Sequence, residues 1–278
     1  MRKDISRSLS SENSGEAYIS YEIVGDIAIV RLSHSSPENA QNASETIMSI
    51  HKNVKTTLVQ ASPVVGDFRL RRLTYVAGEN KKSTIHKEYG CLFSVDVAKC
   101  YFSPRLSHER MRVAEMVKPN ETVVNMFAGV GCFSIMIAKH VSATKVFSID
   151  VNPAAIQFMR ENVRLNRVYG KVIPLLGDSK EIISNKMRRV ADRVLLPLPE
   201  KALEYLPYAL SALKASGGWI HYYDLEHAAK TESPAEKAKL KVEKALDDLG
   251  VSFEVPFVRV VRSTGPNWFQ LAVDVRIM

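Results

Sequence analysis

Two glycines and an acid carry the first chemical signal. In Val123-Val-Asn-Met-Phe-Ala-Gly-Val-Gly-Cys-Phe-Ser134 an apolar strand runs into a Phe-Ala-Gly-Val-Gly turn. Downstream, Phe147-Ser-Ile-Asp-Val-Asn-Pro153 ends a second strand on a carboxylate. Gly129 and Gly131 let the backbone bend tightly and approach a ligand that a side chain would block. Asp150 follows Gly131 by about 20 residues, the spacing at which an acid reaches ribose hydroxyls in a doubly wound sheet. A dinucleotide site would want a third glycine beneath its pyrophosphate, where this chain has Phe133 and Ser134. A nucleoside ligand without phosphates, S-adenosylmethionine, fits the turn better. For the glycines alone an ordinary strand-turn-helix is the competing explanation, and Asp150 weakens it.

The elements that must hold these residues alternate from Glu121 onward. Strands are expected at 122–126, 145–149, 172–176, 192–196 and 219–223, with helices at 133–140, 153–166 and 200–215. A charged helix over 234–249 precedes two closing strands, 253–262 and 268–277. The pattern is α/β: a seven-stranded, Rossmann-like doubly wound sheet over 121–278, closed by a hairpin. Ahead of it, 18–100 reads as a small α+β domain. It has a hairpin turning at Gly25-Asp26, a helix at 39–53, and strands at 56–61, 68–76, 83–89 and 91–97. An arginine-studded linker helix fills 101–120, and the polar, Ser-rich residues 1–17 are expected to be disordered.

Ligands of open α/β sheets sit beyond the carboxyl ends of the strands. Here those ends are Phe127-Ala128-Gly129, Asp150-Val-Asn152, Gly177-Asp178 and Pro197-Leu198-Pro199. Asp150 would hold ribose, and Asn152 and Asp178 would flank an adenine. Asp178 serves equally well as a helix N-cap. Tyr101 and Phe102 either stack on a ring or pack in a core. The Pro-x-Pro loop is rigid and offers carbonyls rather than donors, which suits framing a target base; Pro199 also suits a helix start.

A net charge of +8 and a pI near 9.3 favour a polyanionic partner. The charge is clustered, at Arg69, Arg71 and Arg72, at Arg105, Arg110 and Arg112, and at Arg160, Arg164 and Arg167. That clustering makes a nucleic acid the expected substrate. Cys91, Cys100 and Cys132 form no CxxC pair and no even framework, so disulfides and zinc are not expected and a reducing cytoplasm is. No apolar run approaches the roughly 20 residues that span a bilayer, and the N-terminus lacks the apolar core of a signal peptide.

Several motifs together resemble the archaeal and eukaryotic tRNA (guanine-37-N1)-methyltransferase family. They are Thr84-Ile-His-Lys-Glu-Tyr-Gly90, Val95-Asp-Val-Ala-Lys-Cys-Tyr-Phe-Ser-Pro-Arg-Leu106, Glu109-Arg110, the glycine turn, Ile149-Asp-Val-Asn-Pro153 and Ile220-His-Tyr-Tyr223. The likeness runs from Tyr18 to the C-terminus. It implies transfer of a methyl group from S-adenosylmethionine to the nucleotide at tRNA position 37, without a metal, by a protein expected to be monomeric. By motif position, Glu109 corresponds to the general base for ring N1, and Arg69 to the arginine that steadies charge on the neighbouring O6. Arg105 and Arg110 would orient phosphates or the pocket, with Arg71, Arg72 and Arg112 as further RNA contacts. Glu109 and Arg112 lie on one helical face and could instead pair. Longer members carry an additional N-terminal module for the tRNA elbow, which the resemblance does not lead one to expect within these 278 residues.

Two positions depart from the family pattern. Asn125 stands where an Asp usually fixes the methionine end of the cofactor. Pro197 stands where an Asn usually contacts the guanine edge, and proline has no amide to replace it. Some archaeal members instead methylate carbon 7 of 4-demethylwyosine, the tricyclic derivative of the same nucleotide, so both target atoms stay open. A sister family transfers an aminocarboxypropyl group from the same cofactor; Arg105 and Asp150 argue against it. A catalytically inactive RNA-binding protein is the remaining alternative, opposed by intact Glu109, Arg69 and Asp150.

Overall fold

The computed structural model describes residues 19–32, 36–142 and 144–278, so the 1–17 segment lies outside the described residues. They divide into two compact units, with the break between Pro104 and Arg105. In the first unit β1 (Ile19–Val24) and β2 (Ile27–Leu32) form the expected hairpin at Gly25-Asp26. The next element, α1 (Pro37–Ile50), is capped by Ser36, whose hydroxyl accepts from the Asn39 N–H at 3.0 Å, with Pro37 at its first turn. It crosses over so that β3 (Thr56–Gln60) lies parallel to β2, and β4 (Leu73–Gly78) pairs antiparallel to β3. Ala28, Val30, Ala43, Ile47, Val54 and Val59 form the core between helix and sheet. A separate ladder joins β5 (Ser83–Glu88) to β6 (Cys91–Asp96).

Expectation and structure differ at β4. The segment read as a strand from residue 68 begins instead as a tight turn, in which the Arg69 N–H donates to Gly66 O at 2.9 Å. Gly66 and Arg69 both take positive φ, 73° and 53°, which no strand residue does.

The second unit opens with a 3-10 turn, Pro104–Leu106, and α2 (Ser107–Met116). The sequence suggested a linker here. In fact α2 buries Val113 and Ala114 and packs against α3 (Cys132–His140), so it is a layer of this unit. The unit then alternates through β7 (Thr122–Asn125), α3, β8 (Lys145–Asp150), α4 (Pro153–Leu165) and β9 (Val172–Leu176). It continues with α5 (Ser179–Lys186), β10 (Arg193–Leu196), α6 (Pro199–Ala212), β11 (Gly218–His227) and α7 (Pro234–Asp248). A hairpin of β12 (Phe253–Gly265) and β13 (Trp268–Ile277) closes it. Helix α5 was expected only through the reading of Asp178 as its N-cap.

The strand order is β12-β13-β11-β10-β7-β8-β9, parallel except for β13. The chain winds outward from β7 to β9, then returns to lay β10 on the other side of β7. That reversal leaves a crevice at the carboxyl ends of β7 and β10, where ligands of such sheets bind. Both central strands are short, and Val123, Val124, Val194, Leu195 and Leu196 are fully buried in them, as strands covered on two faces require. No helix among the described residues is long and apolar enough to cross a membrane.

Candidate active site

At the carboxyl rim the backbone does most of the shaping. The Gly129 N–H donates to Asp150 Oδ2 at 2.7 Å, and the Asn152 N–H to Asp150 Oδ1 at 2.9 Å. One carboxylate therefore ties the turn after β7 to the start of α4, and its remaining lone pairs are available to hydroxyl donors. Burial pushes the Asp150 carboxyl above its usual range, and the two N–H bonds oppose that rise. Gly177 N–H donates to Asp150 O at 3.0 Å and joins the rim at β9.

The two glycines of the turn do different work. Both have positive φ, 56° at Gly129 and 90° at Gly131. A Cβ on Gly131 would lie 2.7 Å from Met159 Cγ and 3.1 Å from Ile135 Cδ1. Gly131 is thus needed so that α3 can pack on α4, a role the sequence reading did not assign to it. It takes the packing role that a third glycine has in dinucleotide folds.

Around the rim, Asn152 Oδ1 caps α4 by accepting from the Ala154 N–H at 3.0 Å. Asp178 caps α5, accepting from the Lys180 N–H at 2.8 Å, so its helix-cap reading holds. Pro199 is the buried first residue of α6, and Pro197 sits half-buried at the end of β10. The Phe127 ring meets Tyr205 edge-on at 4.9 Å. Beneath the turn, buried Asn125 donates from Nδ2 to Ser134 Oγ at 3.1 Å, and Ser148 Oγ donates to the same oxygen at 2.7 Å. Asn125 Oδ1 is buried with no hydrogen-bond partner among the described residues.

A second constellation lies inside the unit. Glu109 is 1% exposed, and Arg112 clamps it from the next turn of α2. Arg112 Nε donates to both Glu109 oxygens at 3.1 and 3.0 Å, and Nη2 donates to Oε1 at 2.7 Å. Tyr223 donates its hydroxyl to the same carboxylate at 2.8 Å, and Arg259 Nε stands 3.6 Å away. Arg112 Nη1 also donates to Asp274 on β13 at 2.5 Å.

From Asp274 the chain of charges continues to His221 Nδ1 at 2.5 Å, and from His221 Nε2 to Arg193 Nη1 at 2.7 Å. Arg193 pairs with Glu121 at 2.9 Å. Arginine can only donate, so Nε2 of His221 must accept and the proton sits on Nδ1, facing Asp274. Burial holds the His221 pKa below its ordinary value, against the pull of Asp274 and with the help of both arginines. Burial alone would raise the Asp274 carboxyl; His221 and Arg112 bring it down to about 2. Arg112, Arg193 and Arg259 balance Glu109, Asp274 and Glu121, so the chain is internally neutral.

This arrangement corrects several sequence expectations. Arg112 is an ion-pair partner within the fold rather than an RNA contact. Arg110 is buried, at 3% exposure, and presents no surface cation. Arg71 is tied inside the first unit to Glu22 at 2.7 Å and to Gln60 at 3.1 Å. Phe102 is a core residue packed on His86 and Phe93. Arg72 is exposed, and Arg105 is half-buried at the start of the second unit. The Arg69 guanidinium lies 4.4 Å over the Tyr101 ring, so that tyrosine carries a cation on its face. Sequence reasoning missed Tyr205, Asp274 and Arg193 altogether. It quoted His221 and Tyr223 only as parts of a motif.

Known proteins match this geometry. Residues 84–253 fit the model of the TRM5/TYW2 methyltransferase domain, and residues 1–81 fit that of the TYW2 N-terminal domain. The chain is 41% identical to tRNA (guanine(37)-N(1))-methyltransferase Trm5b of Pyrococcus abyssi, over 93% of this chain and 74% of that one. It is 36% identical to tRNA 4-demethylwyosine(37)-methyltransferase Taw21 of Saccharolobus solfataricus, over 92% of each. The solved structure of Methanocaldococcus jannaschii Trm5 in complex with adenosine superposes with a TM-score of 0.79 at 34% identity, covering 99% of this chain and 78% of that one.

Proposed function

This chain belongs to the TRM5/TYW2 methyltransferase family, and we propose that it methylates carbon 7 of 4-demethylwyosine at position 37 of tRNA, using S-adenosylmethionine. The Arg105–Met278 unit is the catalytic domain in this reading, and the unit ending at Pro104 carries RNA contacts, Arg69 and exposed Arg72 among them.

The residues of the rim suit the cofactor. Asp150 has spare acceptor capacity for ribose hydroxyls, and Asp178 can accept from the adenine amino group. The unpartnered Oδ1 of Asn125 is an acceptor for the ammonium of the methionine end. When bound, S-adenosylmethionine supplies a methyl group already activated by its sulfonium sulfur. The protein's part is to hold the base against that methyl group.

The choice of carbon 7 rests on Glu109. Removing the N1 proton of guanosine ahead of methyl transfer calls for a carboxylate presented to the base. Here that carboxylate is 1% exposed and engaged by Arg112 and Tyr223. Attack from carbon 7 forms the new carbon–carbon bond as the methyl–sulfur bond breaks, and the carbon-7 proton passes afterwards to water, so a base poised before transfer is not required. Pro197, which offers no amide to a guanine edge, supports the same reading.

The alternative target, N1 of guanosine, is favoured by the identity with Trm5b. The deciding experiment incubates the protein and labelled cofactor with two tRNAs, one bearing guanosine and one bearing 4-demethylwyosine at position 37. Nucleoside mass spectrometry then locates the methyl group. We expect label on the tricyclic base; label on N1 of guanosine alone overturns the proposal. Were Glu109 the base for N1, Glu109→Gln would slow a guanosine reaction about 100- to 10,000-fold; the proposal expects a much smaller loss on 4-demethylwyosine. Pro197→Asn should move preference toward guanosine.

A further inference from the structure

Tyr205 stands at the rim without a part in the mechanism above, although it touches residues just beyond the ends of β7 and β9. It is buried, at 4% exposure, and reaches from α6. Its hydroxyl lies 3.1 Å from both oxygens of Asp178. Its ring meets Phe127 edge-on at 4.9 Å, and Lys180 Nζ lies 4.7 Å over its face. The ring is therefore held on two sides, and the direction of the hydroxyl is fixed. A tyrosine has one proton to give, and here it is shared between the two carboxylate oxygens. Oδ1 also accepts the Lys180 N–H at 2.8 Å, which leaves Oδ2 with the larger unused acceptor capacity.

We propose that Tyr205 is a positioning residue for nucleobase selectivity: it fixes Asp178 so that one oxygen is presented as an acceptor for the exocyclic amine of adenine. A base with a carbonyl at that position, such as hypoxanthine, meets a carboxylate oxygen with no donor between them and is disfavoured. The proposal rests on the reading that Asp178 faces the adenine. It adds the residue that sets the carboxylate's orientation, and it gives α6 a role in cofactor choice.

The test uses the intact protein and two nucleosides, 5′-methylthioadenosine and 5′-methylthioinosine, titrated by calorimetry into the parent and Tyr205→Phe. Phenylalanine keeps the ring packed on Phe127 and removes only the hydroxyl. The parent should prefer the adenosine ligand. Tyr205→Phe should weaken that ligand about three- to tenfold and leave the inosine ligand unchanged, narrowing the preference. Equal weakening of both ligands, or no change in either, overturns the role of Tyr205 while leaving Asp178 in place. A parent that binds both ligands equally shows that Asp178 does not face the base, and the proposal falls with that reading.

Discussion

The rim of the sheet and the charge chain behind Glu109 are built on opposite plans. At the rim, side chains bond to backbone: Asp150 to two N–H groups, Asn152 and Asp178 to the helices they begin. Behind Glu109, side chains bond to side chains across α2, β10, β11 and β13. A carboxylate tied mainly to backbone keeps lone pairs for a ligand. A buried ion chain has little left to offer a ligand, and each member depends on distant ones. The first plan makes a binding surface; the second holds a fold closed.

Removing one link of the chain should give the largest effect. Asp274→Ala leaves Arg112 buried with only Glu109 to answer it, and should destabilise by about 3–5 kcal/mol in urea unfolding. A loss below 1 kcal/mol would contradict the second plan. Asp150→Ala should act differently, weakening cofactor binding by about 1–3 kcal/mol in calorimetry. An unchanged affinity in a folded Asp150 variant removes that residue from the site. Gly131→Ala tests the division of labour within the turn. Strain at a φ of 90° and the Met159 contact should cost about 1–3 kcal/mol of stability, which thermal melts can measure.

The smallest effect separates the two regions by pH. His221 is neutral in the fold with its pKa held down, while the unfolded side chain takes a proton near its ordinary value of 6.5. The unfolded state then binds more protons, so stability should decline as pH falls through that value. Asp274, at about 2 when folded, adds a further loss as pH falls from roughly 4 toward 2. A stability profile flat between pH 7 and 5 would show that His221 is not buried neutral.

The same contrast explains what could be read from the sequence. Gly129, Gly131, Asp150 and the alternating strands are local patterns, and they located the nucleotide-binding sheet and its rim with strand ends close to those found. Asp178 showed itself as a cap because a cap lies beside its helix. The turn at Gly66 was missed because Arg69, a residue that seldom adopts positive φ, takes it there. Arg71 and Arg112 looked like surface cations because their partners, Glu22 and Asp274, lie far off in sequence. No spacing rule joins Asp274 to α2, and Tyr205 looked like any apolar position of a helix.

The separation of Arg112 from Asp274, 162 residues, also sets an order of events during synthesis. At roughly 5–20 residues per second, α2 emerges on the order of ten seconds before the strand that neutralises it. Until β13 pairs with β11, Glu109 and Arg112 have no finished interior to enter and must stay hydrated. Strand β13 is therefore the one that permits this unit to close. A nascent chain halted before Asp274 would expose unshielded apolar sheet beside unmatched charge, the state that chaperones and proteases recognise.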